Sequence, residues 1–158
     1  MSGLIGQVGA RSGIVGSTTD STQLDYEEGY WVPTVSGATS GTFTLNTAGS
    51  SATCAYTKVG RVVNIQGLVG VISGSVSGAI YMSLPFSPAT LTHDADFAFG
   101  YLYLANNGNT IAGVKNLFVQ SGGAYFNSVA DDGTQAYITG SNVDTVFQFC
   151  FSMSYIAA

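Results

Sequence analysis

The end of the chain carries its plainest pattern. Phe147, Phe149, Phe151, Met153 and Tyr155 alternate with Gln148, Cys150, Ser152 and Ser154. Period two over this length is the mark of a β-strand with one buried face. It predicts a strand running down the middle of the core. A second stretch, Tyr56 to Val69, predicts a hairpin. Val63, Ile65 and Val69 fall on one face, while Val62, Asn64, Gln66 and Leu68 fall on the other, more polar one. Gly60 stands where the run Ala55 to Val59 must turn back, with Lys58 and Arg61 flanking the turn in water.

The remaining segments read the same way. Tyr30 to Val35 holds Pro33, which lacks a ladder donor and marks an edge strand or a strand start, with Trp31 as a core anchor. Short strands are predicted over 42–45, 79–84, 111–119, 124–127 and 135–138. Pro85 and Pro88 stop the second of these runs. Phe97, Phe99, Tyr101 and Tyr103 share one face of a further strand, opposite Leu102 and Leu104. Asn106 to Asn109 and Asp131-Asp132-Gly133 are turns, the first of a type that needs positive φ. No segment has helical periodicity. About eight to ten short strands separated by turn signals predict an all-β fold, an antiparallel β-sandwich of jelly-roll type.

The first 29 residues differ from this body, taken as 30–158. Residues 1–19 carry glycine at positions 3, 6, 9, 13 and 16, with the apolar pairs Leu4-Ile5 and Ile14-Val15 and a single charge, Arg11. Glycine at this density opposes a helix, and the interruptions oppose a central strand. The expectation is an extended docking arm lying on another subunit or protein, with Leu4, Ile5, Ile14 and Val15 as its apolar contacts and Arg11 as its anchor. The other reading is an arm folded back on its own body. Residues 20–29 form an acidic linker with Asp20, Asp25, Glu27 and Glu28. It reads as a solvated connector, with a cation site and a partner for a basic patch as alternatives.

Composition narrows the function. Charged residues make up only 8% of the chain and apolar residues 46%. The surface must therefore be built from Ser, Thr, Asn, Gln and Gly. Such a surface packs against protein without stripping hydration from ions. It suits a permanent assembly more than a free cytosolic enzyme. The net charge of −5 opposes nucleic-acid binding. No signal peptide and no run of about 18 apolar residues stands out, so no membrane insertion is expected. Cys54 and Cys150, the two cysteines, read as small apolar residues in strands, with a disulfide between them left open.

Candidate chemistry is sparse. His93, Asp94 and Asp96 offer an imidazole and two carboxylates within four residues; in an extended segment Asp94 and Asp96 point the same way, whereas a metal site needs three or four converging ligands and nothing else in the sequence points here. Asp131 and Asp132 are candidates for a glycosidase carboxylate pair, or simply turn residues. Nothing supports a serine nucleophile paired with His93, and there is no phosphate-binding glycine loop. No catalytic, cofactor or metal residues are assigned. Tyr103, Phe118, Tyr125, Phe126 and Tyr137 lie nearer loops and are candidate exposed aromatics. They suit either sugar stacking or subunit packing, whereas aromatics within strands are expected in the core.

Several short motifs carry a resemblance. They are Gly9-Ala10-Arg11-Ser12-Gly13, Asp25-Tyr26-Glu27-Glu28-Gly29-Tyr30-Trp31-Val32-Pro33-Thr34, Tyr56-Thr57-Lys58-Val59-Gly60-Arg61-Val62-Val63 and Leu84-Pro85-Phe86. In sequence and spacing the chain resembles small tail-fibre-type structural proteins and fibre domains of tailed bacteriophages. The one departure is Tyr30, where threonine is usual. The resemblance covers roughly the first half. It implies a virion component, a β-sandwich, commonly trimeric, with a variable and exposed second half. The expectation is a non-enzymatic virion surface protein, assembled in the host cytoplasm. It would be a compact homotrimeric appendage held to other virion proteins by its arm and facing a host glycan or receptor. The alternatives are a capsid decoration protein and a carbohydrate-binding or glycan-hydrolysing module.

Overall fold

Each alternating run becomes a strand. The computed structural model describes residues 26–90, 98–109, 111–120 and 123–158. The strands are β1 (Tyr26–Trp31), β2 (Val35–Gly37), β3 (Thr44–Leu45), β4 (Cys54–Val59), β5 (Val62–Ser73) and β6 (Ile80–Met82). They continue with β7 (Phe99–Ala105), β8 (Val114–Gln120), β9 (Gly123–Val129), β10 (Gln135–Tyr137) and β11 (Phe147–Ile156). All belong to one sheet ordered β1-β4-β5-β11-β7-β8-β9-β6-β2, with β10 on β9 and β3 on β5. Every pairing is antiparallel. The all-β expectation holds, and among the described residues there is no α-helix.

β11 is the central strand that its alternation predicts. It pairs with β5 from Phe147↔Val71 to Ile156↔Val62, and with β7 from Gln148↔Ala105 to Ser152↔Tyr101. Phe147, Phe149, Phe151, Met153 and Tyr155 all point into the core. Each such burial contributes about 1.5–3 kcal/mol. The hairpin from β4 to β5 also forms as predicted, and Gly60 takes the positive φ of 60° that its turn needs.

Instead of two separate sheets, the ladder is continuous and curls until its parts face each other. Phe126 of β9 meets Phe149 of β11 edge-to-face at 4.9 Å, although β8 and β7 lie between those strands in the ladder. The curl is nearly closed by hydrogen bonds. Phe43 N–H donates to the Val35 carbonyl of β2 at 2.9 Å, and the chain continues into β3, which pairs with β5 through Leu45↔Val71. Phe43 itself packs on Phe147 at 5.4 Å. The core lies inside this curl.

Three details depart from the expectations, and a fourth settles a point left open. β1, beginning at Tyr26, brings the end of the stretch read as a linker into the sheet. Glu27 sits opposite Lys58 in the β1–β4 register and accepts a hydrogen bond from Tyr56 Oη at 2.8 Å. Trp31 ends β1 as an anchor only partly buried, against Tyr56 and Phe151. Residues 32–34 then interrupt the predicted strand before β2. Lys58 and Arg61 are not simply solvated. Lys58 Nζ lies 5.6 Å from the Phe86 ring centre, and Arg61 Nε donates to the Ala157 carbonyl at 2.9 Å. The thiols are both free. Cys54 faces inward, with a Cβ at Gly67 falling 2.4 Å from its sulfur. Cys150 sits opposite Leu68 in the polar register of β11. The sheet thus separates them. The arm residues Leu4, Ile5, Arg11, Ile14 and Val15, and the loop residues His93, Asp94 and Asp96, lie outside the described residues.

Candidate functional site: an uncharged aromatic face

The inward residues of β5, β11, β7, β8 and β9 fix what their other face presents. Alternation turns Asn64, Gln66 and Leu68 of β5 outward, with Cys150, Ser152 and Ser154 of β11. It does the same for Phe99, Tyr101 and Tyr103 of β7, Asn116 and Phe118 of β8, and Tyr125 and Asn127 of β9. None of these carries a charge. Lys115 is the one charged residue in the five strands, and it takes the inward register opposite Ser128, its ammonium donating to the Gly113 carbonyl at 3.3 Å.

Aromatic rings run across this face. Phe99 packs on Phe118 at 5.0 Å, and Phe118 is the register partner of Tyr125. Tyr125 stacks on Tyr81 of β6 at 5.3 Å and meets Tyr137 of β10 at 5.7 Å. Tyr137 Oη donates to Gln120 Oε1 at 3.0 Å. Beside these rings, Phe118, Asn127, Gln135, Ala136 and Tyr137 line a shallow depression of about 160 Å³. A second depression of about 200 Å³ lies on the polar side of the sheet, lined by residues that include Thr57, Asn64, Gln66, Ser152 and Ser154. There Ser154 Oγ donates to Asn64 Oδ1 at 2.5 Å. Asn116 Oδ1, between the two regions, is buried and has no hydrogen-bond partner.

The candidate aromatics divide. Tyr103 and Tyr137 are exposed, and Tyr125 is half-buried within the ring cluster. Phe126 is a correction. It is wholly buried, because alternation turns Tyr125 and Asn127 out and Phe126 in. Phe99 and Tyr101, expected in the core as strand residues, are 55% and 61% exposed. Tyr81, on the strand that Pro85 ends, joins the ring cluster as well. The signal was present in β7: its aliphatic side, Leu102 and Leu104, faces inward, so the aromatic side must face out.

Among the described residues, the other candidates do not gather into a site. Asp132 closes the β9–β10 turn, its carboxylate accepting from Thr134 N–H at 2.8 Å, and this hydrogen bond holds its carboxyl below the usual range. That is the wrong direction for the acid of a glycosidase pair, which must keep its proton. Among the described residues no three His, Cys, Asp or Glu side chains converge as metal ligands. No helix there is long and apolar enough to cross a membrane. The face can stack rings and exchange hydrogen bonds through neutral amides and hydroxyls. Comparison with family models and with curated proteins matches nothing to this chain.

Proposed function

We propose that the chain is a non-enzymatic surface protein of a tailed-bacteriophage particle, a compact tail-fibre-like homotrimer attached through residues 1–19. The observation that carries the reading is the outer face of β5, β11, β7, β8 and β9, which is uncharged and rich in exposed rings. Free proteins spread both signs of charge over their surfaces and keep apolar patches small. A face made of rings, amides and hydroxyls is instead suited to contact with a partner. The motifs around Glu27–Pro33, Lys58–Val63 and Leu84–Phe86 supply the phage setting.

Purified particles of the phage that encodes the chain test the reading. Mass spectrometry should find the protein in them, and the variant lacking residues 1–19 should fold but no longer join. Absence from particles, or normal incorporation of the truncated chain, defeats the proposal. A decoration protein is the second reading, favoured by the same lack of charge in a shell subunit. Hundreds of copies per particle would select it over an appendage, for which tens or fewer are expected.

A further inference from the structure

We propose that the depression between β8, β9 and β10 binds one residue of a neutral glycan. The inference rests on reading the outer face as a contact surface. Its wall is a set of rings already held in place. Tyr137 is fixed at its hydroxyl by Gln120 (3.0 Å) and at its ring by Tyr125 (5.7 Å), which is itself stacked on Tyr81 (5.3 Å). Rings fixed before binding lose little conformational freedom when a ligand lands on them. Phe118 supplies a second ring to the same depression.

Asn127 gives the site its polarity. It lines the depression, yet is only 4% exposed. Its Oδ1 accepts from Ser128 N–H at 2.9 Å, which sets the amide plane. Its Nδ2 has no acceptor among the described residues, so it is available as a preset donor. Gln135, exposed on the rim, adds a second amide.

Ring faces meet the C–H face of a pyranose, and amides meet its hydroxyls. No cation lines the depression, so a sulfate, phosphate or carboxylate on the ligand would lose hydration without gaining a partner. The turn leading into β10 carries Asp131 and Asp132, which adds to the discrimination against anions. A nucleotide would stack but faces the same obstacle. At about 160 Å³ the site is well below the roughly 300–1,000 Å³ of a drug-sized pocket, which suits a single ring of a longer chain.

The test uses the full chain on an array of neutral, sialylated, sulfated and uronate glycans. Calorimetry on the hits then measures affinity per site. Neutral glycans are expected to bind, with little change between low and high salt because no ion pair is involved. Asn127→Asp keeps the acceptor for Ser128 but loses the donor, and should weaken binding about three- to tenfold. Tyr137→Ala should weaken it further. Tyr137→Phe keeps the ring and should retain most of the affinity, which guards against a variant that fails to fold. Tyr103→Ala, outside the depression, should leave per-site affinity unchanged. The inference is overturned if the folded chain binds no neutral glycan or prefers anionic ones. It is also overturned if Asn127→Asp has no effect, or if Tyr137→Ala breaks self-association instead. A silent array leaves the particle reading standing, since that depends on finding the protein in virions.

Discussion

The contact between Phe126 and Phe149 measures whether the sheet really curls onto itself. Both rings are fully buried, and they meet at 4.9 Å with an interplanar angle of 70°. Truncating either to alanine should cost about 3–5 kcal/mol, the range for a large aromatic lost from a close-packed core. For a chain of this length that lowers the melting temperature by about 6–20 °C. A flat sheet would keep β9 and β11 apart, and the two losses would simply add. In the curled sheet they share a contact, and edge-to-face aromatic pairs are worth about 0.5–1.5 kcal/mol beyond burial. The double variant should therefore cost less than the sum of the singles by about that amount. Urea unfolding followed by fluorescence reads this directly, because Trp31 is the only tryptophan and packs on Phe151 of β11. Total stability of about 5–15 kcal/mol can be exhausted by the alanine pair, so the same cycle with leucine at both sites serves as a second measurement. Additivity within about 0.3 kcal/mol in both cycles would refute the curled arrangement.

Other perturbations follow from single contacts. Gly67→Ala places a Cβ 2.4 Å from Cys54 Sγ and should destabilise by about 1–3 kcal/mol, visible as a lower urea midpoint. In the native protein a maleimide should leave Cys54 untouched until urea is added, with no disulfide-linked species on mass spectrometry. Arg61→Ala loses the bond to the Ala157 carbonyl and should cost about 1 kcal/mol, with faster amide exchange over the last residues. Alkali should unfold the protein from a defined starting point. Burial pushes the Cys54 thiol up from 9.0 to about 12, and the Tyr155 phenol up from 10.0 to about 12 despite the hydrogen bond its oxygen accepts from Phe86 N–H at 3.2 Å. Both groups therefore give up their protons more easily in the unfolded chain. Their contribution is whole below about pH 9 and falls as pH rises toward about 12. In urea titrations across that range, Cys54→Ala should remove the earliest part of the fall, and an unchanged profile would count against it.

Strand positions were legible because a period of two is a local property. Phe147 to Tyr155 declares its buried face without reference to any partner, and so does Val63 to Val69. The hairpin at Gly60 was legible for the same reason. What escaped depends on distant pairing. Tyr26 to Gly29 reads as acidic connector until β4 lies beside it, with Glu27 opposite Lys58 and in reach of Tyr56 Oη. One curled sheet and a two-sheet sandwich need the same alternation. The unbroken ladder through β7 and β8 tells them apart, and the short link through Phe43 and Leu45 onto β5 nearly closes the curl. The site was half legible. Nearness to loops points to Tyr103, Tyr125 and Tyr137, but it points equally to Phe126, which parity sends inward. The parity of β7 would have added Phe99 and Tyr101, whereas Tyr81 joins the cluster only because β6 pairs with β9 through Tyr81↔Tyr125.

Charge placement separates the guarded edge and turns of this protein from its uncharged outer face. β1 stands at the open end of the ladder and carries adjacent carboxylates, Glu27 and Glu28. Charges on an exposed edge discourage a second copy from adding its own strand there. Lys58 and Arg61 flank the β4–β5 turn, Asp131 and Asp132 sit in the β9–β10 turn, and Asp144 lies in the loop before β11, where it accepts from Gly108 N–H. The outer face of the five central strands has no such protection, although it exposes Tyr101, Tyr103 and Leu68. A trimer built by pairing β1 edges would have to bring like charges together and would leave those rings in water. A trimer built on the face from β5 to β7 covers the rings, desolvates no ions, and leaves β8 to β10 free to meet a ligand.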